Sequence, residues 1–421
     1  MNSPIHRLAA LTSLLFLCAC AAAPQADIKA TAASPSAVSG NPAWESSPRS
    51  LGPGMGAQFW VWASEGINMI IATPGEKGAD LVFKRSHNEG QSFGHDHRIN
   101  QDVGEVSAHG ENNPQLRVGP GIGIYSLWEG TGGIKFGRSM NFGRSFLPPV
   151  LVNDDGGKGM HSFFTLETSA QGKVYAAWID GRDKATEPPG MASIYLARSD
   201  DQGATFNANV KVSGRICPCC RPALTTDDAG NLYMTWRHVF GENERVIVVA
   251  TSKDEGKTWS QPVRVSQKGW KINGCAHSGP AMKWVDGRLI LTWYTAGEGR
   301  ARLLMAQSTD SGKTFSTPFE IQGTVLDPNH PHIAEVDGEA WVIFQGRDPK
   351  QEDGWGPAGP WLVRVGTGNS VFAPQALPFN QRSISYPQLF PGTGGRVYAL
   401  WTEHTKQGPE VMLVRGRTGS E

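Results

Sequence analysis

An eight-residue pattern, Ser-x-Asp/Asn-x-Gly-x-Thr/Ser-Phe/Trp, occurs five times along the chain, at residues 86–93, 139–146, 199–206, 252–259 and 308–315. Its acidic or amide positions, Asn88, Asn141, Asp201, Asp254 and Asp310, are 53, 60, 53 and 56 residues apart, and a degenerate sixth copy runs through residues 366–372. Self-similarity at a near-constant period means that each repeat is one supersecondary unit, able to bury its faces only against its neighbours. Within a copy, the carboxylate or amide accepts backbone N–H groups of a tight turn, glycine supplies a positive φ, and the aromatic tucks beneath the hairpin. The boxes are turn devices between strands, and none is a candidate for chemistry.

The segments around the boxes repeat as well. An apolar strand precedes each box (residues 81–85, 134–138, 194–198, 246–250 and 303–306), and two further copies lie at 361–364 and 411–415. Between boxes come a strand opening with Pro-x-Leu/Met/Ile (Pro114, Pro222, Pro280, Pro331, Pro387) and another reading aromatic-x-x-Trp (125–128, 175–178, 233–236, 398–401). Four short strands per repeat of about 55 residues predict an all-β propeller, with seven blades favoured and six as the alternative. The 51 Gly, 28 Pro and 14 Trp suit many short strands and turns. Equal counts of 39 basic and 39 acidic residues argue against nucleic acid or an anionic lipid surface as the main partner.

Residues 1–19 read as a secretion signal: His6 and Arg7 precede an apolar run from Leu8 to Leu17, shorter than the about 18 residues a permanent span needs. Leu17-Cys18-Ala19-Cys20 resembles the bacterial lipobox, which makes Cys20 the lipidated residue and places the protein in the bacterial cell envelope, held to the membrane only by its end. Residues 20–56, rich in Ala, Ser and Pro, are expected to form a flexible tether, and residues 57–421 the propeller.

The boxes resemble the Asp boxes of the sialidase (BNR-repeat) superfamily, and the resemblance covers nearly the whole chain after the tether. It implies a sialidase-type propeller. It also raises an exo-sialidase-like glycoside hydrolase acting on acidic sugars, whose members use an arginine triad, an Asp acid/base and a Tyr nucleophile activated by Glu. On the matching segments these roles fall to Asp80, Arg221 (in Arg221-Pro222-Ala223-Leu224), Tyr386 (in Tyr386-Pro387-Gln388-Leu389) and Glu403. The family's opening Arg-Ile-Pro is replaced by Phe59-Trp60-Val61-Trp62, so the triad is incomplete. Fold follows from such a resemblance; activity does not.

Aligning the repeats on Pro-x-Leu brings one set of loops to the mouth of the central channel. These loops contain His109, Met160 with His161, Cys217-Pro218-Cys219-Cys220, Cys275 with His277, Asp327 with His330 and His332, and Tyr386. Thiolates and imidazoles converging from adjacent loops are ligands for soft metals, so Cys217, Cys219, Cys220, Cys275 and His277, with His161, His330 and His332 as further donors, are expected to bind copper or zinc. In an exported protein the same cysteines also suit disulfides. His95-x-His97 and the Arg-Asp pairs at 182–183 and 347–348 read as structural. A metal-binding protein, a glycosidase and a protein-interaction platform therefore remain open.

Overall fold

A computed structural model describes residues 40–62, 66–241, 243–266, 268–351, 356–366 and 370–419. The signal peptide, the lipobox with Cys20, and the tether up to residue 39 lie outside the described residues. The chain from Val38 to Glu421 forms one compact unit, and among its described residues no helix is long and apolar enough to cross a membrane.

Apart from three short strands, each strand pairs antiparallel with its sequence neighbour, in successive meanders. The first comprises Met55–Trp62, Gly66–Gly75, Gly78–Ser86 and His97–Arg98; the second Gln115–Val118, Ile124–Gly130, Gly133–Ser139 and Val150–Leu151. The third comprises His161–Thr168, Val174–Asp180, Ala192–Ser199 and Val210–Ile216. The fourth runs through Ala223–Thr226, Leu232–Phe240, Glu244–Ser252 and Val263–Arg264, and is joined to the third by the pair Ile216↔His238. The fifth (Ala281–Val285, Arg288–Thr295, Arg302–Ser308, Phe319–Glu320) and sixth (Leu326–Val336, Glu339–Arg347, Gly359–Val365, Gln375–Ala376) follow. The seventh contains Ile384–Pro391, Arg396–Thr405 and Gly408–Arg417. The first strands of consecutive meanders lie against one another, and that of the seventh returns to that of the first.

The aromatic-x-x-Trp pattern explains how the meanders adhere. On a strand, residues three apart point to opposite faces. Trp178 packs with the second meander and Tyr175 with the fourth; Trp236 packs with the third and Tyr233 with the fifth. Trp401 and Tyr398 are divided in the same way between the sixth and first meanders. All six are at most 2 % exposed.

The boxes are built as turns, with two differences from expectation. The left-handed conformation is shared: Glu89, Phe142, Gln202, Glu255 and Ser311, each preceding the box glycine, also have φ between 57° and 64°. The aromatic reaches the preceding meander instead of its own hairpin, with Phe146 at 5.3 Å from Phe83 and Phe206 at 5.2 Å from Phe136. Gly203 must be glycine, since a Cβ there would lie 2.0 Å from the Phe136 ring.

The boundary expected at residue 57 is wrong in one respect. Ala43–Trp44 and Arg49–Pro53, assigned to the tether, are strands that both pair with Gly408–Arg417 and complete the seventh meander. Their partners lie more than 350 residues away, which no local pattern reveals. Trp44 packs on the core between the sixth and seventh meanders, and its Nε1 donates to Gln375 Oε1 at 3.3 Å. Trp44→Ala is expected to cost about 2 kcal/mol, below the range for a fully buried aromatic because the side chain is half-buried, and thermal unfolding will measure it.

The boxes also set an acid limit. Asp254 and Asp310 accept the hydroxyl and backbone N–H of Thr258 and Thr314, which hold both carboxyls at about 2. At Asp201 burial opposes the same bonds from Thr205, yet they prevail and give about 2 as well. Carboxyls lowered by folding contribute stability above the unfolded value near 3.8, lost as pH falls toward 2. Urea midpoints are therefore expected to drop between about pH 4 and pH 2. The triple Asn variant of Asp201, Asp254 and Asp310, matching the native boxes at Asn88 and Asn141, should flatten that drop.

Candidate functional site at the channel mouth

In or just before the first strands stand, in order, Gly56, Asn113, Phe163, Arg221, Gly279, His330 and Tyr386. At Gly56, Phe163, His330 and Tyr386 the ladder skips a residue, and φ is 63°, 54°, 50° and 54°. Bulges at a rim re-aim side chains, and left-handed backbone at bulky residues is strain that surrounding structure must hold. Two residues further on, Gln58, Gln115, Thr165, His332 and Gln388 line a central cavity of about 400 Å³, which also meets Arg117, Glu167, Lys283 and Glu335.

Glu111, in the loop before the second meander's first strand, ties this rim together. Its buried carboxylate accepts the Gly279 N–H at 2.8 Å, the Arg221 N–H at 3.1 Å and contacts His330 Nδ1 at 3.2 Å, joining the loops of four meanders. Burial alone would raise its carboxyl, but the His330 bond and charge, Arg221 and Gly279 hold it below the ordinary range. The Tyr386 ring meets the His330 ring edge-on at 4.5 Å, and its phenol is pushed up to about 12 by burial and then by the Glu111 charge. Glu111, Arg221, His330 and Tyr386 line one cavity of about 20 Å³, room for a single water. Glu111 was not singled out in the sequence, because what distinguishes it is contact across the ring.

Of the four glycosidase candidates, Arg221 and Tyr386 come together here. Asp80 lies elsewhere: its Oδ1 accepts Asn100 Nδ2 at 2.7 Å and the Gly104 N–H at 2.8 Å, fixing the turn that leaves the first meander. Glu403 is fully buried opposite Ile384 and accepts Asn380 Nδ2 at 3.0 Å, so Glu111 is the carboxylate at the mouth.

The expected metal ligands separate into several groups. Cys217, Cys219 and Cys275 place their sulfurs within 4.8 Å of one another, with Cys217 Sγ at 3.6 Å from Cys219 Sγ and 3.4 Å from Cys220 Sγ. Three of these thiols are buried and Cys275 is exposed. Arg245 Nη1 donates to Cys217 Sγ at 2.7 Å. Bonds from Cys219 and Cys220, and then the Arg245 charge, hold the Cys217 thiol well below its usual value, while the neighbouring thiols push those of Cys219 and Cys220 up. His277 is exposed on the Cys275 loop and lies outside the thiol group. His161 forms a separate buried group, with Nε2 at 3.0 Å from Asp155 and 3.6 Å from Asp180. His330 serves Glu111. His332 accepts the Leu389 N–H through Nδ1 at 3.3 Å, and burial with Arg221, Arg117 and Lys283 pushes it down to about 3. A single peptide bond links thiols and mouth, Cys220 to Arg221, and Phe163 packs against the thiols.

Replacing Glu111 with Gln removes a charge that opposes phenolate formation. The Tyr386 phenol is therefore expected to titrate at lower pH in Glu111→Gln than in the parent, read by ultraviolet absorbance as the difference from a Tyr386→Phe background.

Residues 192–399 match the family model described as a BNR repeat-like domain. A comparison with curated proteins finds no match. Among solved structures, a protein of unknown function from Dyadobacter fermentans is 16 % identical, with a TM-score of 0.55 over 76 % of this chain and 97 % of that one. A polysaccharide lyase, an ulvan lyase, is 13 % identical, with a TM-score of 0.53 over 75 % of this chain and 83 % of that one. At these identities the likeness is one of fold. The ring of meanders makes this chain an all-β propeller, and residues 192–399 of it carry a BNR repeat-like domain.

Proposed function

We propose that the protein binds a soft transition metal, copper or zinc, through Cys217, Cys219 and Cys275, with Cys220 beside them, next to the mouth of the central channel. The convergence of these thiols from two adjacent loops carries the reading. Four thiolates about 2.3 Å from a zinc ion stand about 3.8 Å apart. The Cys217 sulfur lies 3.6 and 3.4 Å from its neighbours, near that spacing. Charge supports the same conclusion: a divalent ion with four thiolates carries two negative charges, and two buried guanidiniums, Arg245 on Cys217 and Arg237 acting on Cys220, flank the group. A metal there would order the Cys275 loop onto the fourth meander. His277, two residues from Cys275, is the nearest imidazole along the chain that could complete the shell from solvent. The lipobox supports a further proposal, that the propeller works in the bacterial envelope on a lipid attached to Cys20.

Protein purified from its native compartment and dialysed against copper or zinc is expected to retain about one ion per chain by elemental analysis. Cys217→Ser and Cys275→Ser should abolish retention, and His332→Ala should leave it intact. Four freely titrating thiols with no retained metal would overturn the proposal.

A second reading is favoured by the mouth itself. Tyr386, held in left-handed backbone beside ionised Glu111 and half-buried Arg221, has the parts for acting on an acidic sugar: Arg221 pairs with its carboxylate, Tyr386 Oη bonds to the anomeric carbon as the glycosidic C–O bond breaks, Glu111 receives the phenolic proton, and the departing oxygen takes a proton from water. The polysaccharide lyase of similar fold is described as bound to a glucuronate-containing saccharide. Release of sugar from an acidic glycan, lost in Tyr386→Phe but unaffected in Cys275→Ser, would select this reading.

A further inference from the structure

A large cavity lies away from the mouth. It is a cleft of about 970 Å³ between the fourth and fifth meanders, and its lining contains six cationic side chains against two acidic ones in a chain of zero net charge. Arg264 and Lys268 come from the fourth meander's side, Arg302 and Lys313 from the fifth's, and Arg237 and Arg245 are more than nine-tenths buried. The acids are already engaged: Glu298 with Lys268 at 3.0 Å and Arg302 at 2.9 Å, and Glu320 with Arg302 at 3.7 Å.

The buried pair is incompletely partnered. Arg237 donates through Nη2 to the carbonyls of Ser278 and Tyr294 at 3.1 and 2.8 Å, and Arg245 donates to Cys217 Sγ and to Asn243 Oδ1. Neither has a carboxylate partner among the described residues, and the Nε of each is buried without a hydrogen-bond acceptor. A buried guanidinium with an unpartnered Nε, in a side chain that lines a cleft, favours an anion nearby. Beside Arg237, at 5.9 Å from its guanidinium carbon, stands the half-buried ring of Trp270, braced edge-on against Tyr294 at 5.7 Å. Flat aromatic surface next to cations fits a ligand with anionic groups on a ring that has an apolar face.

We propose that this cleft binds an acidic oligosaccharide, with a carboxylate or sulfate group drawn to the incompletely partnered guanidiniums of Arg237 and Arg245 and a sugar ring against Trp270. Of the outer cations, Arg264 and Lys268 are paired with Glu244 and Glu298 at 3.0 Å each, and Lys313 meets the next anionic group along the chain. The site is separate from Tyr386 and shares Arg237 and Arg245 with the thiol group.

Calorimetric titration of the full chain at low salt tests this with oligogalacturonate, a sulfated oligosaccharide, an uncharged oligosaccharide and single-stranded DNA. Saturable binding of the carboxylated or the sulfated chain is expected, and whichever binds more tightly identifies the anionic group. Binding should weaken with salt, and the uncharged chain should not bind. Trp270→Ala and Lys313→Glu, both at solvent-accessible positions, should each weaken binding about tenfold, the loss of one charge-assisted or stacking contact. Circular dichroism will show that both variants are folded. No binding of either acidic chain, undiminished binding by both variants, or DNA bound as tightly as the saccharides would overturn the proposal. Metal content is measured on the same samples, so failure here is distinguishable from failure of the thiol site.

Discussion

No meander in this protein can cover its own second strand. With Tyr and Trp three residues apart, each such strand has a large aromatic on both faces, so it must lie between two neighbours. A sheet of four strands that is apolar on both sides has no stable isolated form in water, and only a closed ring satisfies all copies together. The boxes reinforce the closure. Their aromatic side chains lie on the preceding meander, so every turn is also a contact with the next unit.

Ring closure determines where chemistry can occur. The inner strands lie against one another, and bulges near their starts hold Phe163, His330 and Tyr386 in left-handed backbone. A β-branched or bulky side chain in that region is held only by its surroundings, and here Glu111 supplies the hold by accepting from three loops. The Cys217 segment adjoins the same rim, so the thiol group and the carboxylate hub share the chain between Cys220 and Arg221. Two dissimilar chemistries are thereby packed into adjacent loops of one ring.

What could be read from the sequence was local and periodic. The boxes, the aromatic-x-x-Trp strands and the Pro-x-Leu openings each fit within eight residues, and together they give the fold. The same alignment gathered Cys217, Cys219, Cys220 and Cys275, which the structure brings together. It could not separate His161, His330 and His332 from them, because loops equivalent in sequence lie on different sides of the ring, and each histidine has a partner of its own in Asp155, Glu111 or the Leu389 N–H. Glu111 and Arg245 were missed for the complementary reason, since each is defined by a contact made from another meander or another strand. Glu403 and Asp80 were chosen for their neighbours in sequence, and they proved to be internal supports.

The pairing of Arg49–Pro53 and Ala43–Trp44 with Gly408–Arg417 has a temporal side. A chain emerging from a ribosome presents these strands first, and they have no partner until Gly408–Arg417 has followed. Every box turn can form on the way, yet the stack stays open, with apolar faces bare at both ends, until the two ends meet. Closure of the ring then waits for residues 408–417, and a chain cut short before residue 408 would hold nearly every local feature described here without becoming a ring.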